Sequence, residues 1–258
     1  MKLENMTWPQ IRELQKSCDL IVLPLGATEQ HGLALPIGTD TIVAVALCEE
    51  ACRRAGVPWA PVLSLTSSGG HTAKWPGTFA VKPITFIETL VSWARWAVAT
   101  GWKRIYIVNA HAGNNAPLRV AVDQIRIELL GKVQVGWVDT FKLTAEIHSR
   151  FVADAQDLHA NKAECDLILH LKPELVDKNA LAVADDEDRT NGLIFSYPVS
   201  QTSWNGTTGM PSRGNAQDGA ELFEMMVTEL TRRLHIARNE FAPLPPEAWA
   251  GAPNDFYF

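Results

Sequence analysis

Glu29 and His31 stand two residues apart, and a second carboxylate, Asp40, follows nine positions later, all within Leu23-Pro-Leu-Gly-Ala-Thr-Glu29-Gln-His31-Gly-Leu-Ala-Leu-Pro-Ile-Gly-Thr-Asp40. Oxygen and nitrogen donors of this kind bind a hard or borderline divalent ion when the chain turns back to bring them together. Gly26, Gly32 and Gly38, with Pro24 and Pro36, supply the turn chemistry. Taken alone, these residues favour ordinary loop polarity over a metal site, and Asp40 or Thr39 could cap a helix starting near Thr41. His111 tips the balance toward a metal, because it follows a buried-strand pattern, Ile105 to Val108, among the small residues Ala110, Ala112 and Gly113. A third cluster runs Asp157-Leu-His159-Ala-Asn-Lys-Ala-Glu164-Cys-Asp166. Glu164 would sit in the first turn of a helix starting near Asn161, as a capping carboxylate or as a ligand. His159 lies in the preceding loop, as a surface residue or projecting into a cleft.

The elements that must position these groups alternate. Thr7 caps a helix with Pro9 in its first turn. Ile21 to Leu25 reads as a strand, Thr41 to Ala55 as a helix stopped by Gly56, and Trp59 to Leu65 as a second strand. A helix from Ile84 to Thr100, a strand from Arg104 to Val108, a helix from Pro117 to Leu130 and a strand from Val133 to Val138 follow. Strand–helix alternation at this spacing predicts a three-layer α/β/α domain around a mostly parallel central sheet. Sites in such sheets gather at the carboxyl ends of strands, where the Glu29/His31 loop and the His111 loop both fall. Beyond Val138 the pattern weakens. Helices are expected over Lys162 to Leu171 and Ala220 to Arg238, and an extended tail from Ala242.

The chain has 258 residues and a net charge of −6. At this length about 75% of the unfolded surface is buried, so a core forms without disulfides. No basic stripe marks a nucleic-acid footprint, and the acidic run Asp185 to Asp188 reads as a solvated loop. Cys48 and Cys52 share one helical face and read as small buried hydrophobes more readily than as a disulfide. No apolar run approaches 18 residues and the N-terminus lacks a signal pattern, so a soluble cytoplasmic protein with no membrane partner is expected.

Four ordered motifs between about Thr7 and Leu234 together resemble the creatininase (creatinine amidohydrolase) family: Gly26-Ala-Thr-Glu29-Gln-His31-Gly with Leu35-Pro-Ile-Gly-Thr-Asp40; Trp75-Pro-Gly-Thr78; Asn109-Ala-His111-Ala-Gly113-Asn114; and His159-Ala-x-x-x-Glu164. Gly206-Thr-Thr-Gly209 followed by Gly214 resembles the family's glycine-rich segment before its last helix. The resemblance implies one hydrolase domain over residues 1–258 that cleaves carbon–nitrogen bonds of small cyclic amides or formamides. It implies two divalent ions (zinc, manganese or iron) held by Glu29, His31, Asp40 and His111, with Asp40 bridging. Creatininases proper carry a glutamate at the position of Gly113, and members with a His-x-Gly-Asn pattern use the equivalent of Glu164 instead. Glu164 is therefore the fifth expected ligand, and creatinine is not the expected substrate. Leu158, where creatininases proper have another glutamate, points the same way.

His159 is the expected proton shuttle. His71 could orient substrate or simply occupy a turn, Gly113 could offer its amide or serve only as a turn glycine, and Trp204 could stack on a flat substrate. The partners implied are a small-molecule substrate and further copies of the chain, in a ring as large as a hexamer. Family relatives that cleave other bonds, in cyclic sugar-derived ketones or precursor peptides, stay open as alternatives, as does a non-catalytic metal-binding scaffold.

Overall fold

A computed structural model describes residues 1–71, 74–245 and 248. The helix α1 (Trp8–Gln15) starts where Thr7 predicts, with the Gln10 side chain accepting from the Thr7 N–H at 2.8 Å. Strand β1 (Leu20–Leu25) leads through the Glu29 loop into α2 (Thr39–Ala55), which ends on Gly56 in the left-handed conformation at φ 65°. After α3 (Pro83–Ala99) come β2 (Arg104–Asn109), α4 (Asn115–Glu128) and β3 (Gln134–Asp139). The remaining helices are α5 (Ala145–Phe151), α6 (Lys162–Leu171), α7 (Lys178–Leu181), α8 (Val199–Thr202) and α9 (Ala216–Ala237).

The three strands pair in parallel in the order β1-β2-β3, in a register that sets Leu25 beside Asn109 and Asn109 beside Asp139. Alternate side chains along each strand enter different layers, as the period of two requires. Leu20, Val22, Val108 and Val138 pack with α2, α6 and α9, whereas Ile21, Leu23, Leu25, Ile105 and Ile107 pack with α3 and α4. Helices cover both faces, and this is why the strands read as continuous apolar runs. On α9, Leu222, Met226, Leu230 and Leu234 recur every fourth residue and are buried to 2% exposure or less. Each such side chain stabilises the fold by roughly 1.5–3 kcal/mol.

The strand expected over Trp59 to Leu65 does not form as a regular strand. That segment runs beside β1 and touches it only through bridges at Val22–Trp59 and Leu25–Leu63. Three β1 steps face four steps of the neighbouring segment, so one residue is extra. Pro24 and Pro61 have no N–H to give, and the Leu63 amide rather than a nearer one reaches the Pro24 carbonyl (3.1 Å).

The acidic run also departs from a solvated loop. Asp186 is buried and accepts from the Ser203 hydroxyl (2.8 Å) and the Trp204 N–H (2.7 Å), while Asp188 accepts from the Gln156 N–H (2.8 Å) and the Thr190 N–H (2.8 Å). These carboxylates clamp two loops together. All four cysteines are buried free thiols. Most of the expected tail lies outside the described residues. Among the described residues, no helix is long and apolar enough to cross a membrane.

Candidate metal centre

The loop after β1 folds back because the Glu29 N–H donates to the Ile37 carbonyl at 2.9 Å and the Thr41 hydroxyl donates to the Ala27 carbonyl at 2.9 Å. Gly26 permits this close approach, since a Cβ there would stand 2.6 Å from the Thr41 Cα. Asp40 consequently lies inside the first turn of α2, behind Gly38 at the N-cap, and does no capping. Its carboxylate meets the imidazoles of His31 (Nε2 to Oδ1, 3.5 Å) and His111 (Nδ1 to Oδ2, 3.3 Å). Glu29 Oε1 stands 3.2 Å from His111 Nδ1, and Glu164 Oε2 stands 3.9 Å from His31 Nε2.

Two triads result, Glu29–Asp40–His111 and His31–Asp40–Glu164, with the donor atoms of each within 4.8 Å of one another. Asp40 belongs to both. A third grouping of the same tightness, Glu29–His31–His159, adds the loop histidine.

Each ring is fixed by what its far nitrogen holds. His31 Nδ1 donates to the Glu29 carbonyl (3.1 Å) and His111 Nε2 donates to the Ser67 carbonyl (3.0 Å), with the Ser68 hydroxyl also 3.0 Å away. This turns His31 Nε2 and His111 Nδ1 toward the carboxylates, where each offers a lone pair once it carries no proton. Asn109 and Asn114 tie the His111 loop to its surroundings: Asn109 Nδ2 donates to Asp139 (2.9 Å), and Asn114 Nδ2 donates to the Gly26 carbonyl (3.2 Å). On the other side, Asn161 caps α6 by accepting from the Glu164 N–H at 3.2 Å. Ala160, between His159 and Asn161, is the one non-glycine among the described residues with positive φ, at 50°. That turn costs roughly 1–2 kcal/mol and lets His159 and Glu164 face the same centre.

The electrostatics are those of a site short of positive charge. Burial opposes a charge on His31, yet the Asp40, Glu164 and Glu29 carboxylates hold its imidazole up at about 10. His111, equally buried, is held well above its usual range by Glu29 and Asp40. Burial works against the Asp40 anion too, but His31 and His111 keep its carboxyl well below the usual range. Burial, with the Asp40 and Glu29 anions, pushes Glu164 up to about 7 against the pull of His31. Glu29 Oε2, His31 Nε2, Asp40 Oδ2 and Glu164 Oε2 are fully buried without a hydrogen-bond partner. Four such orphans around one point are costly unless something binds them. Protons on the imidazoles, or a bound cation in their place, would each answer the same three carboxylates.

A cavity of about 540 Å³ opens over the cluster, walled by Ser68, Gly69, His71, Gly113, Phe141, Asp157, His159, Tyr197 and Thr208 among others. His159 faces Glu29 through Nδ1 (3.6 Å) and donates from Nε2 to the Gln30 carbonyl (2.8 Å). Burial, then the neighbouring His71 and His31, depresses its basicity far below the ordinary imidazole range. His71 lies 3.7 Å from Glu29 and accepts from the Gln30 amide at 3.0 Å. Gly113 lies against the His111 ring, where a Cβ would come 2.4 Å from Nε2. Trp204 is 77% exposed, sits against Lys74 and is not part of the cavity wall. Burial and the Asp188 carboxylate push Asp157 up.

The structure thus brings Glu29, His31, Asp40, His111, Glu164, His159, His71 and Gly113 together and leaves Trp204 outside. Gln30, Ser67, Ser68 and Asn114 were missed by sequence reasoning. Gln30 had one available signal, its place between Glu29 and His31; the serines had none.

The sequence profile described as creatinine amidohydrolase matches residues 4–234. The chain belongs to the creatininase family. A peptidase of the mycofactocin precursor peptide from Mycolicibacterium smegmatis is 32% identical over 236 residues, covering 86% of this chain and 87% of that protein. A 3-dehydro-scyllo-inosose hydrolase from Thermotoga maritima is 36% identical over 108 residues, covering 42% of this chain and 35% of that one. A solved creatininase variant described as Zn-Zn type superposes with a TM-score of 0.81 at 21% identity, covering 93% of this chain and 98% of that one. The fold is therefore that of the creatininases, and the chain is a creatininase-family hydrolase.

Proposed function

We propose that this hydrolase cleaves an amide carbon–nitrogen bond with two divalent ions held by Glu29, Asp40 and His111 on one side and by His31, Asp40 and Glu164 on the other. The single observation that carries the reading is the sharing of Asp40 between two buried triads, in which Glu29 Oε2, His31 Nε2, Asp40 Oδ2 and Glu164 Oε2 have no hydrogen-bond partner. Mixed oxygen and nitrogen donors without thiolate suit zinc, manganese or ferrous iron. Such ions, when bound, supply a nucleophilic water at neutral pH and polarise the carbonyl under attack.

The chain's own residues do the rest. His159 is kept neutral by its buried place beside His71 and His31, with Nδ1 turned inward. It takes up the proton released at the centre. A weakly basic imidazole gives that proton up readily, here to the departing nitrogen. Gln30 holds His159 by its carbonyl and His71 by its amide, fixing both rings over Glu29. Gly113, on the cavity wall, would offer its N–H to a carbonyl oxygen.

Similarity to a peptidase across 86% of the chain favours a peptide-type amide over the ketone hydrolase reading, whose relative matches 42%. Protein stripped and reconstituted with zinc, manganese or iron should turn over at least one member of a lactam, formamide and short-peptide panel, and a chelator should stop it. Turnover that survives complete metal removal, or turnover of cyclic ketones alone, overturns the reading.

A further inference from the structure

The cavity over the carboxylates continues sideways. A second hollow of about 350 Å³, lined by Gln156, Asp157, Thr190, Leu193, Phe195 and Tyr197 among others, shares Asp157 and Tyr197 with it. Three features give this hollow a chemistry. The Asp157 carboxylate stands at the junction, exposed to solvent, and accepts from no donor among the described residues, whereas its backbone N–H is taken by Asp188 at 3.2 Å. Leu193 is 50% exposed and Phe195 is 74% exposed, a neighbouring pair of large apolar side chains left in water. No lysine or arginine belongs to the wall, so nothing built in answers the carboxylate.

The walls are also set in advance. Asp188 accepts from the N–H groups of Gln156 (2.8 Å), Asp157 (3.2 Å) and Thr190 (2.8 Å), which pins both sides of the hollow to each other.

We propose that this hollow is a subsite for a protonated amine carried on an apolar arm, so that the substrate is an amide bearing such an arm beside the bond cleaved. The inference rests on the amide-hydrolase reading and deepens it by naming the substrate class. The ammonium pairs with Asp157 at the junction, the arm covers Leu193 and Phe195, and the amide reaches the carboxylate cluster through the shared wall. A compact neutral lactam fills the first cavity alone and leaves both features of the second unused.

Calorimetric titration of the metal-reconstituted protein tests the subsite with 2-phenylethylammonium and its neutral analogue 2-phenylethanol. The ammonium compound should bind about two- to fivefold more tightly, as an ion pair with an exposed carboxylate allows. Asp157→Asn should erase that preference, and Phe195→Ala should weaken both compounds alike. Equal binding of the two to the wild type, or a preference that survives Asp157→Asn in a protein with wild-type melting, overturns the proposal. Acetohydroxamate, which binds through metal, reports the other reading separately: its failure to bind removes the metal centre and leaves the amine result standing. Comparing phenylalanine hydroxamate with 3-phenylpropionyl hydroxamate joins the two, and the aminated compound should win only while Asp157 is present.

Discussion

Replacing Gly113 by alanine puts one methyl group against the ring that the proposed centre depends on. The new Cβ would stand 2.4 Å from His111 Nε2 and 3.0 Å from the Ser67 carbonyl oxygen. Carbon-to-heavy-atom contact is comfortable near about 3.5 Å, so the ring must retreat by roughly 1 Å. Retreat breaks the Nε2 bond to Ser67 (3.0 Å), which holds the tautomer that leaves Nδ1 free toward Glu29 and Asp40. Losing an orienting bond of this kind weakens metal affinity about 10- to 100-fold, equivalent to roughly 1.4–2.8 kcal/mol. A misplacement of about 1 Å costs turnover about a hundredfold. Competition of the variant with a zinc-binding dye reads the affinity. Thermal melting separates this from simple overpacking, which costs about 1–3 kcal/mol. A folded Gly113→Ala protein with wild-type zinc affinity refutes the reasoning, because His111 would then not need its present place.

His159→Asn should abolish turnover while metal content stays at the wild-type level; lost metal would instead place His159 among the ligands, as its grouping with Glu29 and His31 permits. Above about pH 7, where the lowered His71 and His159 no longer titrate, the metal-free protein should lose stability as pH rises. His31 has its folded value raised from 6.5 to about 10, so its contribution is fully present below about 6.5 and disappears as pH climbs through 10. Glu164, raised from 4.5 to about 7, acts in the same sense, its contribution fading between about 4.5 and 7. Melting temperatures of apo protein should therefore fall from pH 7 to pH 10 while the gain on adding zinc grows, and a flat apo profile would contradict the charge balance described here.

Much of the fold is legible in local pattern. The apolar runs 20–25 and 104–109 are covered on both faces and so need no alternation, and α6 spans Lys162–Leu171 as its cap and periodicity indicate. Trp59 to Leu65 has the composition of a strand, but hydrogen-bond supply from Pro24 and Pro61 decided its geometry, and composition does not carry register. The acidic run reads as solvated until the loops it clamps, at residues 156–157 and 203–204, are brought to it by the fold.

The same division holds in the site. Glu29, His31 and Asp40 read as a candidate metal site only once His111 at a second strand end joins them, and Glu164 enters through the family motif. Ser67 and Ser68 hold His111 across more than forty positions of chain, and Gln30 joins His71 to His159 from 41 and 129 positions away. No local spacing encodes such partners. Trp204 fits a stacking role by composition alone, yet the chain carries it onto Lys74 at the surface.

Asp40 belongs to both triads, so both proposed metal positions should depend on it. Elemental analysis of purified, reconstituted wild type and Asp40→Asn, with circular dichroism to establish folding, tests that dependence most directly. The wild type should hold two equivalents of divalent metal per chain, and the variant should lose metal from both positions. A folded Asp40→Asn protein that keeps both equivalents would contradict that dependence.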